Sequence, residues 1–284
     1  MKLVYYRATD PAGRPSANFG DDLNLWLWPK VLPRYLLEGE PTSLLYGIGT
    51  LLGPDMPREP KVILGSGTAQ RTPIKVDDSW QVVFVRGPVT CQVLSIPETY
   101  SVTDPAALVS RHANVVRRPK VLAWMPHFWQ MYEHADLYRA TCDRAGVKLI
   151  DPRQSPESVF EQLADVELLL AGAMHAAIVG DALGIPWVSC HVGRVTQPLK
   201  WLDFTSSLEM DVTHHAGGVL TLAMRRAGKL CPSVLLERRL ASFLKACARQ
   251  RPNLSDRGVF ESRVVEIEKR LARFVATQES AAGG

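Results

Sequence analysis

The 284-residue sequence lacks a paired-cysteine motif, because its five cysteines are scattered and no two follow a C-x-x-C spacing. Scattered cysteines in odd number suggest neither a disulfide framework nor the closely spaced thiolates of a structural zinc site. The cysteine pattern therefore predicts a protein of a reducing cytoplasm, without a metal site.

Long apolar runs are also absent. No segment reaches the roughly 18 uncharged apolar residues that a membrane span requires, and the opening stretch MKLVYYRATD turns polar almost at once. Hydrophobic residues make up 46% of the chain and charged residues 22%, which is the balance of an ordinary globular protein. We expect a chain that is either soluble or peripheral to a membrane.

Positive charge is concentrated at one end. Residues 223–284 hold 13 Lys and Arg against 6 Asp and Glu, a net charge of +7. No aromatic or glycine-rich readout motif accompanies these charges, so nucleic-acid binding is not expected. Two interpretations stay open: a solvated helical face, or attraction to the anionic lipid headgroups at the inner face of the cell membrane.

The first part of the chain alternates short apolar runs with turns and helical patterns. Buried strands are predicted at Leu3–Arg7, Ser43–Ile48, Lys61–Leu64 and Gln81–Val85. A helix is predicted at Asp21–Leu27 and is expected to end at Pro29, because a residue that precedes proline is pushed out of the helical region.

A second alternation follows the polar, basic stretch 111–120. Its predicted strands are Val121–Met125, Val147–Ile150, Val166–Ala171 and Trp187–Cys190. Its predicted helices are Met131–Ala145, Pro156–Leu163 and Met174–Leu183. Ser155 is placed as the N-cap of the middle helix, with proline at the first helical position.

Two successive strand–helix–strand series predict an α/β protein with two Rossmann-like parallel-sheet domains, since parallel strands need crossover helices. The domains are predicted at 1–112 and 113–212, and the cleft that they face is the default binding site. A helical C-terminal extension is predicted at 213–284, with helices at Pro232–Ala248 and Val259–Val275 and no strand.

His175 is the most informative single residue. An apolar strand runs into a glycine turn and then into a helix that begins beside this histidine. The side chain thus lies at the carboxyl end of a parallel strand, in the first turn of a helix, where backbone N–H groups and the positive helix end attract an anion. From spacing alone, a packed or capping histidine fits as well as a catalytic one.

The motif NFGDDLN at 18–24 places Asn18, Asp21 and Asp22 at the start of the first helix. A carboxylate at this place can accept a proton from a substrate hydroxyl. It can equally cap the helix, with Asp21 as the N-cap residue, and the two roles do not exclude each other.

Two glycine turns, GIGT at 47–50 and GSGT at 65–68, each follow an apolar strand. The backbone at Gly65, Ser66 and Gly67 can therefore approach a ligand closely. Neither turn completes a dinucleotide-binding fingerprint, so a nicotinamide cofactor is not indicated.

Three further polar residues each follow a predicted strand: Arg86, Asp104 and His127. The planar guanidinium of arginine donates paired hydrogen bonds to a carboxylate or a phosphate. Taken singly, each of the three segments is more typical of a structural turn than of a site.

Taken in order, these segments resemble the polysaccharide pyruvyl transferase family, especially the bacterial exopolysaccharide ketal-pyruvate transferases. The resemblance covers about three quarters of the chain and excludes the helical tail. The matching segments are NFGD at 18–21, GIG at 47–49, GSG at 65–67, VRGPVT at 85–90, DPAAL at 104–108, PHF at 126–128, MHAAI at 174–178, ALGIPWV at 182–188 and KWLDFTSSLE at 200–209.

The resemblance implies a fold like that of type B glycosyltransferases, phosphoenolpyruvate as co-substrate with no other cofactor, and a saccharide acceptor, either lipid-linked or free. It also implies a catalytic histidine, which maps onto His175. This chain departs from many members at Ala173 and Met174, where they carry serine followed by arginine or leucine. A donor-binding arginine is therefore missing, and Arg86 or another basic residue must supply the charge.

The resemblance assigns roles to the candidate residues. His175 is expected to act as acid and base, with Asp21 or Asp22 as the base for a sugar hydroxyl. The predicted donor-binding residues are Arg86, Gly65, Ser66, Gly67, His127, Ala173 and Met174. Four more are expected to bind the acceptor or to be structural: Asn18, Asp104, Lys200 and Asp203.

Two other functions remain open at this point. A nucleotide-sugar-dependent glycosyltransferase would share the two-domain architecture but use another donor. A non-catalytic subunit of a polysaccharide assembly complex would keep the fold and release no phosphate.

Overall fold

A computed structural model describes residues 1–38, 41–193, 195, 197–217 and 233–282. Its first sheet is parallel, with strands in the order in which they occur along the chain. These strands are β1 (Lys2–Val4), β2 (Leu44–Tyr46), β3 (Lys61–Leu64) and β4 (Trp80–Phe84).

The second sheet is also parallel and has the order β6-β5-β7-β8-β9. Its strands are β5 (Val121–Met125), β6 (Lys148–Leu149), β7 (Val166–Ala171), β8 (Trp187–His191) and β9 (His215–Ala216). The two sheets confirm the predicted pair of Rossmann-like units.

Helices connect the strands and cover the sheets. They are α1 (Phe19–Val31), α2 (Arg34–Leu37), α3 (Pro88–Leu94), α4 (Val109–His112), α5 (Phe128–Ala145), α6 (Pro156–Leu163), α7 (Met174–Ala182), α8 (Pro198–Ser207), α9 (Ser233–Cys247) and α10 (Arg257–Ala282). Two 3₁₀ turns lie at Glu98–Tyr100 and Pro105–Leu108.

Local sequence explains several of these elements directly. The strand Lys61–Leu64 is buried throughout, as expected for a parallel strand that is covered on both faces. At the start of α6, the Ser155 hydroxyl accepts a hydrogen bond from the backbone N–H of Ser158, so the predicted N-cap is confirmed.

Helix α1 is longer than predicted, because Pro29 lies inside it and the helix continues to Val31. Proline removes one intrahelical hydrogen bond, to the carbonyl of Leu25. The side chain of Leu25 is 53% exposed, so this turn lies at the surface, where water can satisfy the carbonyl. The prediction that the helix ends at Pro29 is therefore wrong.

The expectation of helices alone after residue 212 is also wrong. Strand β9 pairs in parallel with β8 and extends the second sheet. Two residues are too few to leave a periodic pattern, and only the tertiary partner reveals the strand. The boundaries 1–112, 113–212 and 213–284 remain predictions, and Pro232, the predicted first residue of α9, lies outside the described residues.

Helix α10 packs against the body of the protein through the predicted apolar stripe, since Val264, Ile267, Leu271 and Phe274 are all buried. The same helix contacts the first sheet, where Arg270 donates hydrogen bonds to the carbonyls of Val83 and Thr99. No helix in the described part of the chain combines the length and hydropathy of a membrane span.

Candidate active site

A cavity of about 220 Å³ lies between the two sheets, beyond the carboxyl ends of their strands. Loops after β1 and β2 and the start of α1 form one wall, and segments after β5, β7 and β8 form the other. Its polar side chains come from both halves: Asn18, Asp21, Thr50, His127, His175, Gln197 and Lys200. This is where open parallel sheets commonly bind ligands.

The start of α7 opens into this cavity. Ala173 is the N-cap residue and has no side-chain oxygen to accept a bond from the first turn. The leading N–H groups of a helix have no intrahelical partner, and together they carry partial positive charge. Ala173 and Met174 therefore contribute backbone that can bind an anion, and their role at the donor stays a prediction.

His175 packs directly against the backbone of α1. A Cβ atom on Gly20 would lie only 2.1 Å from Nδ1 of the imidazole, so any other residue at this position would displace the ring. The glycine of the NFGD motif thus serves to admit His175. The imidazole is held between the two halves of the protein and is 14% exposed.

The other ring nitrogen of His175 faces Asp104. Nε2 lies 3.9 Å from Oδ2 of Asp104, too far for a hydrogen bond. Within the described part of the chain, neither of these buried atoms has any hydrogen-bond partner. Catalytic contacts are often long in an unliganded site and shorten with substrate bound. Asp104 is therefore placed to orient the imidazole.

Burial determines the resting charges of this pair. It lowers the pKa of His175 to about 3, helped by the positive charges of Lys200 and Arg86 and by His127. It raises the pKa of Asp104 to about 6, against the attraction of Arg86. The imidazole is thus neutral at pH 7, and a bound anion would favour its protonation.

Asp21 lies in the first turn of α1 and lines the cavity. Burial raises its pKa to about 7, while Lys200 acts in the opposite direction. Its carboxylate accepts a hydrogen bond from the Asn18 side chain. Asn18, rather than Asp21, is the N-cap residue. Asp21 is therefore free of a capping role and can hold or release a proton near neutral pH.

Lys200 supplies a cation to the same space. It is the third residue of α8, and burial together with Arg86 lowers its pKa to about 8. The ammonium group is therefore still mostly protonated at pH 7. His127 also lines the cavity, and burial and Lys200 lower the pKa of its imidazole to about 4.

Arg86 lies at the predicted strand end, but its side chain turns away from the cavity. Its side chain is fully buried and pairs with Asp203, with Nε 2.9 Å from Oδ2. The remaining guanidinium nitrogens donate to the Thr50 hydroxyl and the Thr68 carbonyl. Since Arg86 does not line the cavity, this position does not fit direct contact with a donor there. Its positive charge reaches the cavity only at a distance, and among the described residues its one hydrogen bond to a cavity-lining residue is the one to Thr50.

Asp203 is structural. Besides Arg86, it accepts hydrogen bonds from the backbone N–H and the hydroxyl of Thr90. Arg86 and Thr90 belong to the first half of the chain and Asp203 to the second. This fully buried cluster therefore joins the two halves behind the cavity.

The GSG turn lies outside the cavity as well. Gly67 packs against the guanidinium of Arg86, and a Cβ there would lie 2.4 Å from it. Ser66 is buried and donates to the carbonyl of Gly49. Gly65 has a φ of +93° and contacts Pro105. These residues support Arg86 and the Asp104 turn, and their predicted contact with a donor does not fit this position.

Asp22 points away from the cavity. It accepts a hydrogen bond of 2.8 Å from the backbone N–H of Asn18 and thereby closes the start of α1. Of the two adjacent aspartates, only Asp21 lines the cavity. Successive side chains of an α-helix point about 100° apart, so only one of two adjacent aspartates can face the cavity, and the sequence alone left the choice open.

The cavity also contains residues that the sequence did not single out, notably Tyr6, Phe128 and Gln197. Gln197 has a positive φ of 50° immediately before the proline that opens α8. Tyr6 lies in an irregular segment after β1. Tyr6 carries no sequence pattern that could have indicated a site. Gln197 carries only a weak one, because it precedes a proline.

A second histidine, the buried His191, lies next to this site and is hydrogen-bonded through Nε2. The Ser189 hydroxyl lies 2.8 Å from Nε2 of His191 and 2.7 Å from Nδ1 of His214. A hydroxyl has one proton, so it donates to one imidazole and accepts from the other. His191 also packs edge-on against Trp201, the neighbour of Lys200 in α8.

Comparison with known proteins identifies the family of this architecture. A family model described as polysaccharide pyruvyl transferase matches residues 18–192, from the Asn18 cap to the end of β8. The chain belongs to the polysaccharide pyruvyl transferase family. The match includes His175, Asp104 and Asp21 and ends before Lys200.

A curated relative supports this assignment. The succinoglycan biosynthesis protein ExoV of Rhizobium meliloti (strain 1021) is 34% identical over 197 residues, covering 67% of this chain and 61% of that protein. The chain thus matches about three fifths of the length of this family member. No solved structure gives a significant match.

Proposed function

We propose that this protein transfers pyruvate from phosphoenolpyruvate to a sugar of an exopolysaccharide repeat unit and forms a cyclic ketal there. One observation carries the proposal: a neutral imidazole, a lysine and an uncapped helix start meet in one cavity between the two domains. Family membership and the similarity to a succinoglycan biosynthesis protein support the choice of donor and acceptor.

The donor is a small trianion, and the cavity offers it positive charge from two sources. Lys200 provides an ammonium group, and the first turn of α7 provides N–H groups at its positive end. In this assignment Lys200 takes the place of the arginine that many family members carry just before the histidine. Arg86 adds to the positive electrostatic potential of the cavity from its buried position, where it donates a hydrogen bond to the hydroxyl of Thr50.

The chemistry requires one proton to be delivered and two to be removed. Protonation of the methylene carbon makes the adjacent carbon electrophilic, and the first sugar hydroxyl adds there and loses its proton. Phosphate leaves with the bridging oxygen. The second hydroxyl then adds to the same carbon and loses its proton, which closes the ketal. The net products are the ketal and inorganic phosphate.

The resting protonation states suit these steps. The bound trianion raises the pKa of His175, so that the donor itself promotes protonation of its acid. The carboxylate of Asp104, 3.9 Å from Nε2, stabilises the imidazole once it is protonated. Asp21, with a pKa of about 7, accepts a proton from a sugar hydroxyl.

The reaction is assigned to the cytoplasm, where phosphoenolpyruvate is formed, and the acceptor can be lipid-linked at the inner face of the membrane.

The basic C-terminal helices differ in how their arginines are used. Three arginines of α10, Arg257, Arg263 and Arg270, donate hydrogen bonds to the body of the protein. Helix α9 instead exposes Arg238 and Arg239. Sedimentation with anionic vesicles should fall when both are changed to glutamate, and equal sedimentation would contradict membrane contact.

The reaction is tested with phosphoenolpyruvate and a pyruvate-free succinoglycan oligosaccharide. We expect phosphate release coupled to an acid-labile gain in mass. In deuterium oxide the methyl group of the ketal should carry one deuterium, because that proton comes from solvent through the acid. Transfer from a nucleotide sugar, with no reaction of phosphoenolpyruvate, would instead establish a glycosyltransferase.

Donor binding is tested separately by thermal melting. Phosphoenolpyruvate should stabilise the folded protein, since a ligand that binds only the native state raises the free energy of unfolding. Lys200→Met should remove most of this shift, whereas the matched change Lys30→Met, at an exposed lysine at the end of α1, should not. An unchanged shift in Lys200→Met would exclude Lys200 from the donor site.

A further inference from the structure

A row of aromatic side chains extends from the cavity to the protein surface. Tyr6 and Phe128 line the cavity, and Trp129 and Tyr132 continue the row along the first turns of α5. Successive ring centroids are 6.2, 5.1 and 5.8 Å apart. Tyr6 follows β1 of the first sheet, whereas the other three rings lie on α5, which follows β5 of the second sheet, so the row crosses the mouth of the cleft.

Two of these rings present large faces to solvent. Tyr6 is 44% and Trp129 37% exposed. Contiguous exposed apolar surface often marks the place where a ligand or a partner binds. Three of the four rings lie in the first turns of α5, which a kink at His134 (φ −142°) separates from the rest of the helix.

Polar groups accompany the aromatic row. The guanidinium of Arg153 lies 4.9 Å from the ring centroid of Tyr132 and pairs with Asp151 at 2.7 Å. The Tyr132 hydroxyl is bonded to Ser16. Apolar faces thus alternate with hydrogen-bonding groups over a distance of several sugar rings.

We propose that this row binds the neutral hexopyranose residues of the acceptor that adjoin the sugar being modified, an inference that rests on the proposed function. The C–H face of a pyranose packs on an aromatic ring, and its hydroxyls bind groups such as Arg153 and Asp151. Each centroid spacing is close to the length of one sugar residue. A saccharide whose terminal residue enters the cavity therefore passes over the exposed rings of Tyr6 and Trp129, and the buried ring of Phe128 supports them from below.

The test measures saccharide binding independently of transfer. Binding of pyruvate-free succinoglycan, cello- and galacto-oligosaccharides is measured by calorimetry and saturation-transfer NMR. Wild-type protein is compared with Trp129→Ala, Tyr6→Ala and the conservative Trp129→Phe. Tyr35→Ala is the matched control, because Tyr35 is 50% exposed on α2, outside the cavity.

We expect each alanine variant to raise the Kd and the KM for the best-bound oligosaccharide by roughly 3- to 10-fold. The melting shift with phosphoenolpyruvate should stay at the wild-type value in Trp129→Ala, because Trp129 does not line the cavity. Trp129→Phe should recover most of the binding, and Tyr35→Ala should match wild type.

Two results would overturn this subsite: wild-type protein that binds no oligosaccharide of the panel, or alanine variants that bind as tightly as wild type. Failure of the proposed function has a different signature. In that case the oligosaccharides bind and the aromatic variants weaken them, but phosphoenolpyruvate releases no phosphate.

Discussion

The second sheet positions two buried histidines that differ in one respect. His175 follows β7 and His191 ends β8, and burial lowers the pKa of each to about 3. His191 is hydrogen-bonded to Ser189 at 2.8 Å. In the part of the chain that the structure describes, Nε2 of His175 has no such partner and faces Asp104 across 3.9 Å.

The difference separates a structural histidine from a reactive one. A buried polar atom without a partner costs about 1–3 kcal/mol, whereas a paired one stabilises the fold. An uncompensated group persists where function uses it, and such groups cluster in clefts. We therefore expect substitution of His175 to change activity and substitution of His191 to change stability.

The largest expected effect follows from His175→Gln. Glutamine keeps approximate size and hydrogen bonding but cannot titrate near pH 7, so turnover should fall by about 10² to 10⁴. Donor binding should weaken less, because Lys200 and backbone N–H groups remain. Phosphate release under saturating substrates measures the loss. A folded variant that works within a few-fold of wild type would show that His175 is not the acid.

Asp104→Asn should have the next largest effect. The amide keeps the shape and can still accept the 3.0 Å bond from the N–H of Ala106, but it cannot stabilise a protonated imidazole. We expect turnover to fall about 10²-fold, at the lower end of the range for an acid–base group, with an unchanged KM for phosphoenolpyruvate.

The pH profile distinguishes an orienting role of Asp104 from a structural one. If the carboxylate supports the charged imidazole, the profile of kcat should change shape in the asparagine variant. A lower melting temperature with the wild-type profile would instead assign Asp104 to folding alone.

His191→Gln should have the opposite effects: a loss of stability with little change in turnover. The substitution breaks the Ser189–His191–His214 arrangement, which should lower the free energy of unfolding by about 1–3 kcal/mol. Turnover should stay within a few-fold of wild type, because this imidazole does not line the cavity. Chemical denaturation and steady-state kinetics on one preparation measure the change in stability and the change in turnover. A hundredfold loss of turnover would show that His191 is not merely a structural histidine.

The smallest effect is a pH dependence of stability at Asp21, a carboxyl group that also lines the cavity. Its folded pKa of about 7 lies above the usual value of 3.8. The folded state thus binds a proton that the unfolded state has lost, and stability falls as pH rises between these values. Asp21→Asn should remove this loss, so its advantage over wild type should grow up to pH 7 by at most about 1.4 kcal/mol per pH unit.

Urea denaturation at pH 5, 6, 7 and 8 measures this trend. The exposed Asp211→Asn serves as control and should run parallel to wild type. Parallel curves for Asp21→Asn as well would mean that the Asp21 carboxyl has an ordinary pKa in the folded protein.

Much of the fold could be predicted from local patterns. The strands Lys61–Leu64, Val121–Met125 and Val166–Ala171 and the helix Pro156–Leu163 have their predicted bounds. Each combines a clear apolar period with turn or cap residues at its ends. Strand β9 could not be predicted, because a two-residue strand is specified only by the neighbour to which it pairs.

The site was predictable in part. His175, Asp21, Asn18 and His127 were singled out by their places at strand ends and helix starts, and the structure brings all four to one cavity. Arg86 was predicted at the same edge, and it does lie there, but its side chain turns inward to Asp203. The position along a strand determines where the backbone of a residue lies. The side-chain rotamer and its hydrogen-bond partners determine where the charged group lies.

The sequence by itself determined the α/β class, the order of strands and helices, and the family, because these depend on periodicity and on motifs within short stretches. Only the tertiary structure decided which charges meet. Lys200 and Asp21 are far apart in the chain, as are Gly20 and His175, yet both pairs meet in the cleft. The physical reason is that both burial and hydrogen bonding depend on neighbours that no local pattern specifies. Burial shifts each pKa, and hydrogen bonding decides whether each polar atom has a partner.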